Sequence, residues 1–451
     1  MEVRDPIHGL IEYSSLEEQV FSSRAMQRLR GIHQLAMAYL LYPGALHTRF
    51  DHSLGVMHVA GEMAKSLNRH YDDKRLSEEE VDNVRLAALL HDVGHGPFSH
   101  VSEMPLAMLS TDYLRGKTIR PEELHELVTV DIITCDAELK SILGERRKEI
   151  ADIIAHSTRP SISQAIVSGP LDADKLDYLL RDSHFCGVKY GVYDLDRVLD
   201  GLRVVSAPSE DSYLSVAEES VPAFEQHLMA RYQMTRQVYR HRIRRSTDIL
   251  LSRAVVAAAN NGCHVLRDLY TYDGNHKAFC DRWLLYDDRK VLDTILSQCK
   301  DTDAARLVDR LLSRRLPLWV YDLDLNKAGT VFLQGKLAKP DRRPELEKRI
   351  AEQIGALPIE VIVDLVETEP PSPSSAEPGL DPEKIYVDTG GGEPEKFSTA
   401  SDIFRENPLK GTKRLVVFTP FKETEKGRRD EERKELSELV RGAMEAWGKE
   451  A

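Results

Sequence analysis

The sequence predicts a mainly α-helical body to about residue 310, followed by a smaller α+β region. Three observations predict it. Within residues 51–68 the apolar positions Leu54, Val56, Met57, Ala60, Met63, Ala64 and Leu67 recur at helical spacing. Further helical patterns follow one another up to about residue 310. After Pro317 the texture changes to short β-type runs alternating with helical ones. A chain of 451 residues suffices for a large core or for two to three domains.

In order, Asp5-Pro6-Ile7-His8-Gly9 is an extended lead into the strand-like run 10–13. Ser14 or Ser15, with Glu17 or Glu18 three residues on, is an N-cap signal for a helix towards Ile32. Pro43-Gly44 marks a turn. Ser77-Glu78-Glu79-Glu80 opens a helix whose apolar end is 84–90. Helical segments are expected over 106–114, 124–133, 137–156 and 162–168, from 174 to 182, and over 193–202. Runs 202–207 and 213–217 resemble a strand pair around a turn. One long helix is expected over about 222–260. Strands are expected over 318–323, 359–366, 385–387 and 415–419, with helices over 345–352 and 433–447. The Pro- and Ser-rich stretch 369–378 reads as a loop. The expected division is 1–50 as an N-terminal segment, 51–200 as catalytic core and 201–310 as a helical extension completing the pocket. The remainder, 311–451, is the α+β region, with a mobile loop near 367–382.

Composition narrows the function. A net charge of −13 argues against a general nucleic-acid coat, which needs excess Lys and Arg to displace counterions. Arg240-His241-Arg242-Ile243-Arg244-Arg245 is a local exception. Five cysteines, scattered and without a CxxC, fit reduced thiols. No apolar run of 18 residues occurs, so no membrane association and a cytoplasmic location are expected.

The chemistry concentrates in His91-Asp92-Val93-Gly94-His95-Gly96-Pro97-Phe98-Ser99-His100. Imidazole beside carboxylate suits a borderline divalent cation. His91 and His95, four apart, are expected on one helix face. Arg49-Phe50-Asp51-His52-Ser53 precedes this stretch, and Asp172-Ala173-Asp174-Lys175-Leu176-Asp177-Tyr178 follows it. Together they offer His, His-Asp and Asp, enough for one mononuclear site with positions left for water and substrate.

These segments resemble the HD-domain metal-dependent phosphohydrolases, whose signature is H…HD…D. More narrowly they resemble the deoxynucleoside triphosphate triphosphohydrolases of the SAM-and-HD-domain type. The likeness is densest in Asp5–Gly9, Gln27-Arg28-Leu29-Arg30, Gln34-Leu35, Tyr42-Pro43-Gly44-Ala45 and the three metal-type stretches, and covers about the first 260 residues. The resemblance implies a helical HD-domain body with His52, His91, Asp92 and Asp174 as ligands. The metal would be Mn, Mg, Fe, Zn, Ni or Co. It implies His125 as general acid with His95 beside it, Glu103 orienting a catalytic histidine, and His100 on phosphate. Arg49, Lys175 and Arg231 would hold the triphosphate. Tyr178 would crowd C2′ and Asp182 would bind the 3′-hydroxyl, so that a ribose is excluded. Gln34 and Leu35 match positions beside the sugar, and Tyr239 one on the base side.

The implied activity is hydrolysis of a dNTP to deoxynucleoside and inorganic triphosphate, by metal-activated water at the α-phosphorus. Rival readings are a nucleotidase or phosphodiesterase of the same superfamily, and a nucleotide sensor or nucleic-acid binder with a residual site. Relatives of this type form dimers or tetramers and bind an activating nucleotide, so a homo-oligomer is expected. Arg30 matches a residue that reads an effector guanine. Ser22 and Arg4 stand where the animal enzyme has aspartate and asparagine, so a different effector, or none, is equally expected.

Overall fold

The computed structural model describes residues 1–70, 76–115, 120–155, 161–206, 212–327, 330–339, 341–368, 385–390, 394–405, 412–420 and 429–449. The chain divides into two compact units. The first comprises Met1–Met234, Asp268–Val291 and Pro371–Pro408; the second comprises Thr235–Arg267, Leu292–Pro370 and Leu409–Ala451. The expected mobile loop lies, from residue 369 onward, outside the described residues.

The first unit opens with an antiparallel hairpin, β1 (Glu2–Asp5) against β2 (Gly9–Glu12). Ser14 caps the next helix, Ser15–Ser22, through a reciprocal box with Glu17. That helix ends earlier than expected, and Ser23 caps a second short one, Arg24–Arg28. Helix α1 (Arg49–Arg69) starts where Asp51 accepts bonds from the Thr48 amide (2.9 Å) and hydroxyl (2.8 Å), so Asp51 is a cap. Helix α2 (Glu78–Leu90) is capped by Ser77 and packs against α1. Their shared face buries Val56, Ala60, Met63, Leu67, Leu86 and Leu90 at or below 1% exposure. Helices α3 (Leu124–Cys135) and α4 (Ala173–Cys186) complete the frame of the site, α4 packing on α1. The helix expected over 137–156 is two, Ala137–Leu143 and Arg146–Ile154, parted at Gly144 with a φ of 56°.

One expectation fails, and a second is completed by its strand partner. The helix predicted over 222–260 is interrupted: Val221–Met234, then a π-turn at Thr235–Tyr239, then Arg242–Asn260. Thr235, Val238 and Tyr239 are weaker helix formers than their neighbours Arg236 and Gln237, and the Arg240 amide bonds back five residues to Thr235 (2.8 Å). The strand expected at 385–387 forms at Tyr386–Asp388. It pairs in parallel with Ser212–Ala217, inside the first unit, and does not enter the C-terminal sheet.

The second unit holds a three-stranded antiparallel sheet, with Thr412–Thr419 between Leu318–Asp324 and Ile362–Thr368. One sheet face packs Val320, Val363, Leu415 and Val417 against helices Arg342–Ile354 and Arg429–Lys449, around Trp447. The arginine cluster is engaged within this unit. Arg245 grips Asp364 with two bonds (2.7 and 2.9 Å), and Arg242 lies 3.7 Å over the Trp319 ring. Among the described residues no helix is long and apolar enough to cross a membrane.

His227 of the first unit is fully buried, edge-on to Tyr193, and neither ring nitrogen forms a hydrogen bond. Burial, aided by the charges of Arg231 and Lys175, pushes its pKa down to about 3. Folded protein therefore binds fewer protons here than unfolded protein, and stability falls as pH drops below 6.5 towards 3. The native protein should lose about 1.4 kcal/mol per pH unit more than a His227→Phe variant between pH about 6 and about 4.5, read by urea unfolding.

Candidate functional site

Four elements converge on a small cavity of about 130 Å³ lined by Gln34, Arg49, His91, Asp92, His95, His100, His125, Asp174 and Tyr178, among others. Helix α2 stops at Leu90, with His91 as its C-cap, so His91 and His95 do not share a helix face as expected. The reason is Gly94. A Cβ there would lie 2.2 Å from the Thr129 amide nitrogen and 2.3 Å from the His125 carbonyl, so the chain turns tightly against α3. The Gly94 amide donates to the Thr129 hydroxyl (2.9 Å), and the Trp283 indole donates to the Gly94 carbonyl (2.9 Å). Phe98 and Ser99 then adopt left-handed φ of 65° and 58°. Asp288 clamps this bend, accepting from the Phe98 amide (2.5 Å) and from the His33 amide (3.0 Å) and ring (2.8 Å).

The imidazoles of His52 and His91 and the carboxylate of Asp174 present donor atoms within 4.8 Å of one another. His52 Nε2 stands 2.9 Å from Asp174 Oδ1, and His91 Nε2 3.7 Å from the same oxygen. Asp92 Oδ1 is 3.2 Å from His91 Nε2, while its other oxygen is held by Arg49. Whether this set suits a cation is tested by its polar atoms. His91 donates through Nδ1 to the Ala88 carbonyl (2.7 Å), leaving Nε2 buried with no hydrogen bond. A lone pair so placed, facing carboxylates, fits a divalent ion. Burial disfavours charge on Asp92 and Asp174, yet Arg49 and His91 hold Asp92, and His52 and His91 hold Asp174, well below the usual carboxylate range. Burial likewise opposes a charged His52, but bonds to Asp174 and Asp177 outweigh it and push its pKa up to about 10. The pocket thus attracts positive charge.

A second group adjoins it. His95, His100, Glu103 and His125 bring donor atoms within 4.8 Å of one another. Glu103 accepts from His125 Nδ1 (2.9 Å) and His100 Nδ1 (2.8 Å), and His95 stacks on His125 at 3.9 Å. Burial opposes ionisation of Glu103, but His100 and His125 bring its pKa down to about 2. Burial and the Arg49 charge hold His95 well below its usual value. In His125 burial is outweighed by the Glu103 bond, and the pKa rises.

Tyr178, one turn beyond Asp174 on α4, faces the cavity. Leu35, Lys175, Asp182 and Arg231 do not line it. Lys175 Nζ is bound to Asp172 (2.5 Å) and to the Gly169 carbonyl (3.1 Å). Asp182 accepts from His47 Nε2 (2.7 Å), and Leu35 is core. Arg231 lies on Val221–Met234, and its charge opposes the upward pull of burial on the Tyr178 phenol. Tyr239 ends the π-turn in the second unit. Sequence reasoning gave no role to Asp177, Asp288, Trp283 or Thr129; only Asp177 carried a signal, lying three residues past Asp174.

Residues 49–184 match the HD domain, and residues 194–429 match the HD associated region. The chain is 34% identical over 251 residues to the uncharacterized protein YwfO of Bacillus subtilis, covering 55% of this chain and 54% of that one. It is 31% identical over 280 residues to the deoxynucleoside triphosphate triphosphohydrolase SAMHD1 of Homo sapiens, covering 57% and 44%. The chain spans about half the length of these curated relatives. The crystal structure of a phosphohydrolase from Bacteroides thetaiotaomicron superposes with a TM-score of 0.73 at 23% identity, over 93% of this chain and 100% of that one, a likeness of fold.

Gly94→Ala should destabilise by about 1–3 kcal/mol or more, because its Cβ meets backbone. Gly442→Ala, at an exposed position of helix Arg429–Lys449 with open space around it, should stabilise by about 1 kcal/mol. Urea midpoints of the two variants check both signs.

Proposed function

Because the chain belongs to the HD-domain family, with that domain followed by its associated region, we propose that it is a divalent-metal-dependent phosphohydrolase acting on deoxynucleoside triphosphates. The observation that carries the reading is the adjacency of the two groups: a His/Asp set fit for a cation beside a His/Glu set with divided proton affinities. Held by His52, His91, Asp92 and Asp174, such an ion would act as a Lewis acid and acidify water at neutral pH.

The chain's own residues account for the rest. Water adds its oxygen to the α-phosphorus, the bond from phosphorus to the 5′-oxygen breaks, and deoxynucleoside and triphosphate leave. His125, with its proton affinity raised by Glu103, gives a proton to the departing 5′-oxygen. His95, kept neutral by burial and the Arg49 charge, stacks on His125 without adding a second positive charge. Arg49, Lys175 and Arg231 are the cations we assign to the triphosphate, and His100 reaches it from the cavity rim. For Lys175 this means exchanging Asp172 for a phosphate oxygen. Tyr178 and Asp182 read the sugar, Tyr178 by leaving no room at C2′. Gln34 and Leu35 are assigned beside the sugar.

Two outcomes follow. Incubation with each dNTP and Mn, followed by chromatography, should yield nucleoside and triphosphate, with NTPs turned over at least about tenfold more slowly and Tyr178→Ala narrowing that gap. Monophosphate plus pyrophosphate would contradict the reaction. For pH, His125 must be protonated to give its proton, so activity is present below its pKa and lost above. Glu103→Gln removes the charge that raises it, so the alkaline limb of the rate profile should move down by about one unit or more.

A further inference from the structure

We infer that the hairpin at residues 2–12 is a latch on the metal centre, and that His8 and Asp177 are the positioning residues joining the two. The inference rests on the metal-binding reading above. Asp177 on α4 has no exposed surface and collects four donors. His52 Nδ1 lies 2.8 Å from its Oδ2 and His8 Nε2 2.6 Å from its Oδ1. Arg181 donates to both oxygens, Nε at 2.7 Å and Nη2 at 2.8 Å. The remaining arm of Arg181 reaches Asp5 (2.8 Å), whose other oxygen accepts the amides of Ile7 and His8, each at 2.9 Å. The turn of the hairpin is therefore wired to His52 twice, once through His8 and once through Asp5 and Arg181.

The arrangement has room only because α1 carries Gly55. A Cβ there would lie 2.0 Å from Asp177 Oδ1 and 2.3 Å from Arg181 Nη2. With Asp177 accepting at Nδ1, the His52 ring is fixed in the orientation that aims Nε2 at Asp174, 2.9 Å away. Apolar packing contributes little to holding the hairpin. Within the two strands only Asp5 and Ile11 are buried, and Leu10 is 46% exposed. His8 and Leu10 border an open groove of about 710 Å³, so this side of the hairpin faces solvent. A segment at the edge of the unit with little buried apolar surface can open locally without global unfolding. A cation that requires the His52 ring in this orientation then favours the docked hairpin, and a docked hairpin favours the cation by the same factor.

The test uses the full chain, either stripped with chelator or loaded with Mn²⁺. Hydrogen exchange of the hairpin amides is followed by mass spectrometry, and Mn²⁺ affinity by competition with a fluorescent chelator. Loading should slow hairpin exchange at least about fivefold. His8→Phe, which keeps a ring but removes the donor, should abolish that response and weaken Mn²⁺ binding about tenfold. His8→Gln, which restores a donor, should recover most of both. One Mn²⁺ per chain with hairpin exchange unchanged on loading, or with His8→Phe binding as tightly as the native protein, overturns the latch and leaves the metal reading standing. No Mn²⁺ uptake by the native chain overturns both.

Discussion

Three carboxylates, Asp92, Asp174 and Asp177, converge on the imidazole of His52, and the rest of the first unit answers to that constraint. Buried anions are tolerated only when paired and hydrogen-bonded. Arg49 neutralises Asp92, Arg181 neutralises Asp177, and Asp174 leans on His52 and His91. The third pairing is the incomplete one. It leaves Asp174 about one-third exposed to the cavity and a ring nitrogen of His91 without a hydrogen bond. His52, His91 and Asp174, with their donor atoms within 4.8 Å of one another, are residue types that could hold a divalent cation.

The surrounding fold supplies what that charge arrangement requires. Helix α1 delivers Arg49 and His52 within one turn of its capped start and leaves space at Gly55 for Asp177 behind. Helix α2 ends at Leu90, and the bend at Gly94 swings His95 onto His125, so two groups of donors share one cavity wall. Trp283 and Asp288 brace the bend from the far side. Precise placement here comes from buried hydrogen bonds to main-chain groups, which fix a loop more tightly than apolar packing alone.

Much of this was legible in the residues themselves. The metal-type stretches announce their chemistry by residue type, and the helices that carry them follow from apolar spacing and capping boxes at Ser14, Thr48 and Ser77. What escaped the sequence is tertiary in origin. Asp288 lies 190 residues from Phe98 and Trp283 lies 189 from Gly94, with nothing local to mark either as a brace. The bend after Leu90 depends on how closely α3 approaches, a distance that periodicity does not contain. The strand Tyr386–Asp388 is recognisable as a strand, but its partner is set by where the chain returns. Lys175 illustrates the converse: its placement beside Asp174 suggests a phosphate contact, while the structure pairs it with its own N-cap residue, Asp172.

The central claim is that side chains distant along the chain form one cation site. X-ray diffraction from crystals of the Mn²⁺-loaded protein, collected at the manganese absorption edge, tests it most directly. The account predicts a single anomalous peak about 2.0–2.3 Å from the ring nitrogens of His52 and His91 and from a carboxylate oxygen of Asp174. An anomalous map with no peak there, or with manganese bound only elsewhere, would contradict it.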